Sequence, residues 1–354
     1  MVNGGFDLHA LHRDYGDVRA EALSCRSAAA LFDFSFMSRI RIEGAATSGL
    51  IGTLTPRRMD DLAPGRIRYA LCVAADGRVL GDVTIWRLGA DSFEIFEATG
   101  DALDQLQAAG STASVRDLSP ETAIFAVQGP ASLRALSAAS SVEQLRPLEY
   151  FAHVPVKIAG VACRIGRLGY TGERGFEIIL PRAARDLIWT MLARHARPAG
   201  FAAADILRIE AGFLLFANEL RFPVSAAELG LGRFAATPRA PGTERAAERE
   251  PRVRLLCFGA SCATEPMLWQ PRGDASFPPP PGGLLVTSAC RSIVTGRVLG
   301  LGYASLAPRS AHLVDPASQF HEIREISLPV YDPRKRRPRG EWGDDLLPEA
   351  AEIA

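Results

Sequence analysis

The chain has no excess of charge of either sign. Forty Lys+Arg balance forty Asp+Glu, and the formal net charge is zero. That argues against global attraction to nucleic acid or to an anionic membrane, and leaves only a local basic patch open. Cysteine is scarce, with six in 354 residues and no CxxC pair; Cys257 and Cys262 are the nearest, four residues apart. Zinc-ribbon spacing is therefore missing, and buried free thiols in a reducing compartment are expected. No apolar run approaches the roughly eighteen residues of a membrane-spanning helix. The opening MVNGGFDLHALHRDYGD holds no apolar stretch of the kind secretory signals use, so a cytoplasmic location is expected. GxSxG, HExxH, a Walker loop and a GxGxxG after a strand are all missing. The six histidines are scattered, and His9 and His12 lack a third partner, so no metal site is expected.

What remains is 47% hydrophobic and 23% charged, enough apolar surface for two or three compact units. Val18, Ala22, Cys25 and Ala29 recur at helical spacing. Residues 31–36 and 38–42 alternate as strands. Residues 66–74 and 79–86 flank Asp76-Gly77, a strong hairpin signal. Further strands are expected over 92–97, 124–127, 154–158, 161–167 and 177–180. Helices are expected over 101–109, 131–138, 183–196 and 203–212. This mixture, without regular βαβ alternation, is α+β. Residues 235–252 are polar and charge-dense and read as a linker. Pro278–Pro281 marks an exposed loop. Short strands return from Leu284 to Val330 as an all-β unit. Residues 333–340 are basic, either a solvated terminus or a dock for an acidic carrier. Residues 341–354 read as a frayed tail.

Three constellations carry candidate chemistry. In RYALCVAADGRVLGDV, Asp82 lies on the second arm of the hairpin, either on the solvent face or held in a pocket. In RLGYTGERGFEIILP, Gly169, Gly172 and Gly175 surround Tyr170 and force an irregular loop that can bring backbone donors to a flat ligand. Glu177 opens the next strand, either as an exposed carboxylate or as the partner of an amino-pyrimidine edge. In DILRIEAGFLLFANEL, Arg208 and Glu210 interrupt an apolar helix. They are either a structural ion pair or a cationic contact to an acidic ligand.

Together these segments resemble the aminomethyltransferase (glycine cleavage system T-protein) family, whose fold is shared with dimethylsulfoniopropionate demethylase and the folate domains of sarcosine and dimethylglycine dehydrogenases. The markers run in family order: LFDFSFMSRIRIEGAA, GRIRYALCVAADGRVLGDV, VQGPAS, GYTGERGFE, LRIEAGFLLFANEL, VTSACRSIVTGRVLGLGYAS and LPVYDPRKRRPRG. The resemblance covers about residues 15–340. It implies a three-domain disc with a central folate channel: a folate-binding region of two α+β subdomains over 1–234, and a barrel-like all-β domain over 253–340. It places the pterin-recognising glutamate on Glu177 and the folate-contacting tyrosines on Tyr69 and Tyr170. The family arginine falls on Arg208, expected to hold the donor or the folate tail. The carboxylate beside the folate nitrogens falls on Asp82, which this resemblance moves into a pocket as the catalytic residue.

Some positions depart from the pattern. The first aspartate of the family pair is Gly81, the channel asparagine is replaced by Glu97, and Phe216, Ala217 and Ala204 replace a tyrosine, a glycine and an arginine. The segment the T-proteins carry between Phe234 and Val253 is not recognisable. The implied activity is tetrahydrofolate-dependent transfer of a methyl or aminomethyl unit from a small N-, S- or O-linked donor or from a lipoyl carrier protein. A separate dehydrogenase would perform any oxidative step. The alternatives are a non-catalytic folate-binding accessory protein related to iron–sulfur assembly factors, and a degenerate scaffold acting through partners.

Overall fold

The computed structural model describes residues 8–140, 143–235, 250–260, 277–281, 283–305, 312–314 and 320–340. Three sheets organise them. The first has the order β3-β4-β5-β2-β6. It comprises β2 (Ser38–Glu43), β3 (Ile67–Val73), β4 (Val79–Gly89), β5 (Ser92–Glu97) and β6 (Ser114–Asp117). The β3–β4 hairpin turns at Asp76-Gly77 as expected, with Gly77 at φ +81. Its register sets Leu71 opposite Asp82 and Tyr69 opposite Thr84. Helices α2 (Thr47–Ile51) and α3 (Asp101–Ala108) belong to the same unit. Its core unites Ile40, Ile42, Ile51, Ile85, Phe93 and Ile95 with Leu106 of α3. Short segments such as α2 and β6 carry too little periodicity to be found in the sequence.

The second sheet has six strands in the order β11-β1-β7-β10-β9-β8. These are β1 (Ala30–Asp33), β7 (Thr122–Gln128), β8 (His153–Ile158), β9 (Val161–Gly166), β10 (Gly175–Pro181) and β11 (Arg197–Pro198). Alternation along β10 gives each face a task. Phe176, Ile178 and Leu180 pack with Leu133 and Leu136 of α4 (Ser132–Ala139) and Ile188 and Leu192 of α5 (Arg185–Leu192). Ile179 faces the other way, into a core with Ala22 and Cys25 of α1 (Val18–Ser27) and Ala203, Ala204 and Leu207 of α6 (Phe201–Glu210). Trp86 and Phe96 of the first sheet enter that same core. Glu177 shares the Ile179 face, and the site grows from that placement. The expected helix over 183–196 is shorter, because only Arg185–Leu192 is α-helical after a turn of 3-10 helix.

The third sheet is antiparallel, in the order β13-β14-β12-β16-β15. It comprises β12 (Val253–Ala260), β13 (Leu284–Arg291), β14 (Val298–Ser305), β15 (His312–Val314) and β16 (Phe320–Ile326). The expectation of a barrel is corrected here: among the described residues β13 and β15 end the sheet, and no closed barrel forms. Two short helices, α7 (Gly232–Ala235) and α8 (Arg336–Arg339), flank the chain's later segments. The proline run lies in bends and turns, with Phe277 stacked on Phe222 at 5.0 Å. Most of the expected linker and the whole expected tail lie outside the described residues. Cys25, Cys72, Cys163, Cys257 and Cys290 are buried and free, while Cys262 lies outside the described residues. Among the described residues no helix is long and apolar enough to cross a membrane.

Helix α6 joins these parts. All ten of its residues are buried, including Asp205, Arg208 and Glu210. Glu210 accepts from Arg26 Nη2 at 2.8 Å, Ser292 Oγ at 2.7 Å and the Ile293 amide at 2.8 Å. It thereby ties α1 and α6 to the turn after β13. Truncation would strand Arg26 with Glu173 as its one remaining carboxylate, at 3.3 Å. We predict that Glu210→Ala costs about 3–5 kcal/mol, read by urea denaturation. A loss below about 1 kcal/mol would show that the network is not a constraint on the fold.

Candidate active site

The hairpin and the six-stranded sheet present their polar groups to one region. On β4, Asp82 stands between the buried Gly81 and Val83 and is itself half-buried. Desolvation raises its carboxyl to about 6, with a smaller rise from the charge of Glu97, against a lowering hydrogen bond from Tyr69. An ordinary aspartate titrates near 3.9, so this group can hold or release a proton near neutrality. Tyr69 lies on β3. Burial first, then Asp82, lifts its phenol well above the ordinary range. Its ring meets Phe234 edge-on at 5.1 Å.

Tyr170 belongs to the loop between β9 and β10. Its hydroxyl donates to the Leu214 carbonyl at 2.5 Å, and its ring stacks on Phe213 at 5.9 Å. Burial raises its phenol, and the charge of Asp82 adds to the rise. Tyr69 also feels Tyr170. The structure thus brings Asp82, Tyr69 and Tyr170 into one electrostatic neighbourhood. The glycines of this loop serve a different purpose from the one expected. A Cβ on Gly169 or Gly175 would collide with the Gln128 side chain, at 1.9 and 2.4 Å. Gln128 is buried and donates to the carbonyls of Leu168 and Phe176. The glycine spacing therefore makes room for an internal amide that pins the loop to β7 and β10.

Glu177 pairs with Ala126 of β7 and Gly166 of β9 in the ladder. Trp86 packs so closely on Gly166 that a Cβ there would sit 2.3 Å from the indole. The glutamate is 7% exposed, and burial alone lifts its carboxyl to about 7. Among the described residues it has no hydrogen-bond or ion-pair partner. That is rare for a buried carboxylate and costs stability.

Residues 11–238 match the family model described as the GCVT N-terminal domain. The chain is 32% identical over 345 residues to an aminomethyltransferase of Streptomyces avermitilis, covering 91% of each protein. It is 31% identical over 336 residues to a probable aminomethyltransferase of Halobacterium salinarum, covering 91% of this chain and 90% of that one. The chain belongs to the aminomethyltransferase family. The crystal structure of glycine cleavage system aminomethyltransferase T from Bartonella henselae shares the fold, with a TM-score of 0.76 over 91% of this chain and 92% of that one, at 22% identity.

Within this aminomethyltransferase-family chain one expected site residue has another role. Arg208 was expected at the donor or the folate tail. It is fully buried, and its nitrogens donate to Asp205 at 2.9 Å, Glu219 at 3.0 Å, the Phe213 carbonyl at 3.1 Å and Ser288 Oγ at 2.6 Å. No direction is left for a ligand, and Arg208 is a structural residue. Glu97, expected to replace the family asparagine, is buried as well. Its carboxylate accepts from the amides of Thr99, Gly100 and Ala102 and from the Thr99 hydroxyl. It therefore shapes the entry to α3. A small recess beside it is lined by Asp82, Glu97, Thr99 and Gln105. Sequence reasoning missed Gln128, Glu219 and Phe234. Gln128 stood in the quoted VQGPAS segment and Glu219 in LRIEAGFLLFANEL, and nothing in the pattern marked Phe234. Among the described residues no group of three His, Cys, Asp or Glu could hold a metal ion.

The state of Glu177 gives a signed prediction. The folded protein keeps its proton up to about pH 7, whereas the unfolded chain releases it near 4.5. Stability therefore falls as pH rises between these values, and the cost is complete above them. Glu177→Gln should stabilise the protein by about 2–3 kcal/mol at pH 8, with the gain shrinking toward zero near pH 5. Urea denaturation at both pH values checks this. An equal effect at both would mean that burial does not control the group.

Proposed function

We propose that this protein transfers a one-carbon unit, methyl or aminomethyl, from an N-, S- or O-linked donor to tetrahydrofolate. The observation that carries this reading is the buried Glu177 carboxylate without an internal partner. A pterin presents an amino group and a ring N–H side by side. A free carboxylate between strands, beside a Trp86-lined wall, is the chemical complement of that edge. The fit rests on this orphaned acceptor, and the family's aminomethyltransferases support it.

The folate supplies a nucleophilic amine nitrogen. One N–C bond forms as the donor's C–X bond breaks, and the electron pair leaves with X as amine, thiolate or alcoholate. Asp82 is the residue for the proton that the nitrogen must lose, because its carboxyl is poised near neutrality. Its charge also opposes the positive charge developing at nitrogen. Tyr69 beside it favours the charged form of the carboxylate. Glu177 and the neighbouring rings hold the acceptor, so that much of the rate comes from positioning. With an aminomethyl group on a lipoyl arm the displacement occurs twice: one folate nitrogen displaces the lipoyl thiolate, the second displaces ammonia, and a methylene bridge is left between the two nitrogens. Gly81 and Glu97 line one recess with Asp82, and these departures favour a donor different from that of the glycine cleavage system.

Anaerobic calorimetry with tetrahydrofolate tests the reading. Micromolar binding is expected, weakened at least tenfold by Glu177→Ala. Asp82→Asn should keep folate binding and lower turnover with an accepted donor by about 10²-fold or more. A folded protein that ignores millimolar tetrahydrofolate would falsify the proposal.

A further inference from the structure

Apart from the site of Asp82 and Glu177, the fold holds a further cavity. Its volume is about 290 Å³, and none of Asp82, Tyr69, Tyr170 and Glu177 lines it. Its inner wall comes from the end of β1 and the loop after it. Period two puts Phe32, Phe34 and Phe36 on one face, and all three line the cavity together with Phe201 of α6. Neighbouring rings along this row stand 5.7, 5.8 and 5.9 Å apart. Phe34 also meets Tyr170 edge-on at 6.5 Å, so one layer of rings parts the cavity from the site. The outer wall comes from residues 10–15, and hydrogen bonds hold that segment in place. The amides of Phe201 and Ala202 donate to the carbonyls of His12 and Arg13 at 2.9 and 3.0 Å. The buried Glu21 accepts from the amides of Tyr15 at 2.6 Å and Gly200 at 2.9 Å. The cavity is thus formed before any ligand arrives.

One end of the cavity is polar. Asp33 Oδ2 accepts from Arg185 Nη2 at 2.6 Å, and Asp33 Oδ1 accepts from the Ser35 amide at 3.0 Å. Tyr15 stands at the same end, and among the described residues its hydroxyl has no hydrogen-bond partner. Three charges reach its phenol, Asp33 and Glu21 against Arg185. Arg185 is shared further, since it also donates to the exposed Asp186 at 3.0 Å. Arg13 on the outer wall is paired with Asp14 at 3.0 Å. Acid therefore prevails at this end, which opposes an anionic ligand, whereas a hydroxyl can donate to Asp33.

We propose that this cavity is a second ligand site, built for an uncharged aromatic molecule of one or two rings that carries a hydroxyl, the class of phenols and naphthols. Small-molecule cavities run from about 300 Å³ upward, and the volume here suits a ligand at the small end of that range. Phe32, Phe34, Phe36 and Phe201 take the flat apolar body. Its hydroxyl donates to Asp33 and accepts from Tyr15. The site needs no folate, and Asp82 and Glu177 take no part in it.

The experiment is calorimetry on the full chain with 2-naphthol, and with 2-naphthoate as its anionic counterpart. 2-Naphthol should bind at about 100 µM or tighter, as expected for an apolar molecule of its size, and 2-naphthoate at least about tenfold more weakly. Ala10→Trp fills the cavity from an exposed position, with little risk to the fold, and should abolish 2-naphthol binding. Asp33→Asn removes the charge that opposes the anion, and should narrow the gap between the two molecules to about threefold or less. Glu177→Ala should leave 2-naphthol binding unchanged. A folded protein that ignores millimolar 2-naphthol overturns the proposal. So does binding that survives Ala10→Trp or is lost in Glu177→Ala, because the molecule then sits elsewhere. Equal affinity for the two molecules, or a gap that Asp33→Asn leaves intact, overturns the assignment of the hydroxyl to Asp33. None of these outcomes bears on tetrahydrofolate binding.

Discussion

The burial of charge on helix α6 is the constraint on which the other parts depend. Asp205, Arg208 and Glu210 lie inside the protein, where an ion stripped of water costs several kcal/mol unless it is answered in kind. The answers come from far along the chain. Arg208 meets Glu219 and Ser288, and Glu210 meets Arg26, Ser292 and the amides that follow it. Satisfying one helix therefore fixes α1 and the loop 213–219 to the turn and strand of the third sheet. Apolar contact would hold these parts together in many registers. Paired charges hold them in one, because a slip of one residue leaves a buried ion alone.

Against that background the site stands out as the place where the same rule is broken. Glu210 and Glu219 are each surrounded by donors. Glu177 has none, and Asp82 has one phenol and a neighbouring negative charge. Both carboxyls titrate nearer neutrality than an ordinary acid, from the same cause, burial without compensation. A fold that surrounds Glu210 and Glu219 with donors and gives Glu177 none carries a stability cost at that point. Such costs persist where a ligand or a reaction uses the group.

Much of this was legible in the sequence, for identifiable reasons. Asp76-Gly77 fixes a hairpin, and the hairpin fixes the register of Asp82. Alternation in GFEIILP sets Glu177 on the same face as Ile179, opposite the large aliphatic core of its sheet. These are local consequences of backbone chirality and period-two geometry. Arg208 was not legible. Asp205 stands one turn away on the same helix, but Glu219 and Ser288 lie 11 and 80 residues away in sequence, and an arginine in an apolar helix looks the same whether it awaits a ligand or a buried glutamate. The triplet of glycines misled in a related way. The smallness of Gly169 and Gly175 answers Gln128, forty residues or more upstream, and that of Gly172 answers Ala211; sequence spacing shows that something approaches but not what. The open third sheet is a similar case, since strand count alone does not reveal whether the first and last strands pair.

Glu97 acts on the site through its charge and not through contact with Asp82. Its carboxylate is engaged by four donors from the turn into α3, so it acts on the turn and not by contact with a ligand. Its charge still reaches Asp82 and raises that carboxyl. An asparagine there would offer no such charge. Glu97 therefore raises the proton affinity of Asp82, whereas the rise at Glu177 comes from burial alone. Because the two carboxyls lie on different sheets, one on the β4 arm of a hairpin and one on a central strand, each can be tuned without disturbing the other. That separation, across the junction of two sheets around Trp86, keeps the burial that governs Glu177 apart from the charge that Glu97 exerts on Asp82.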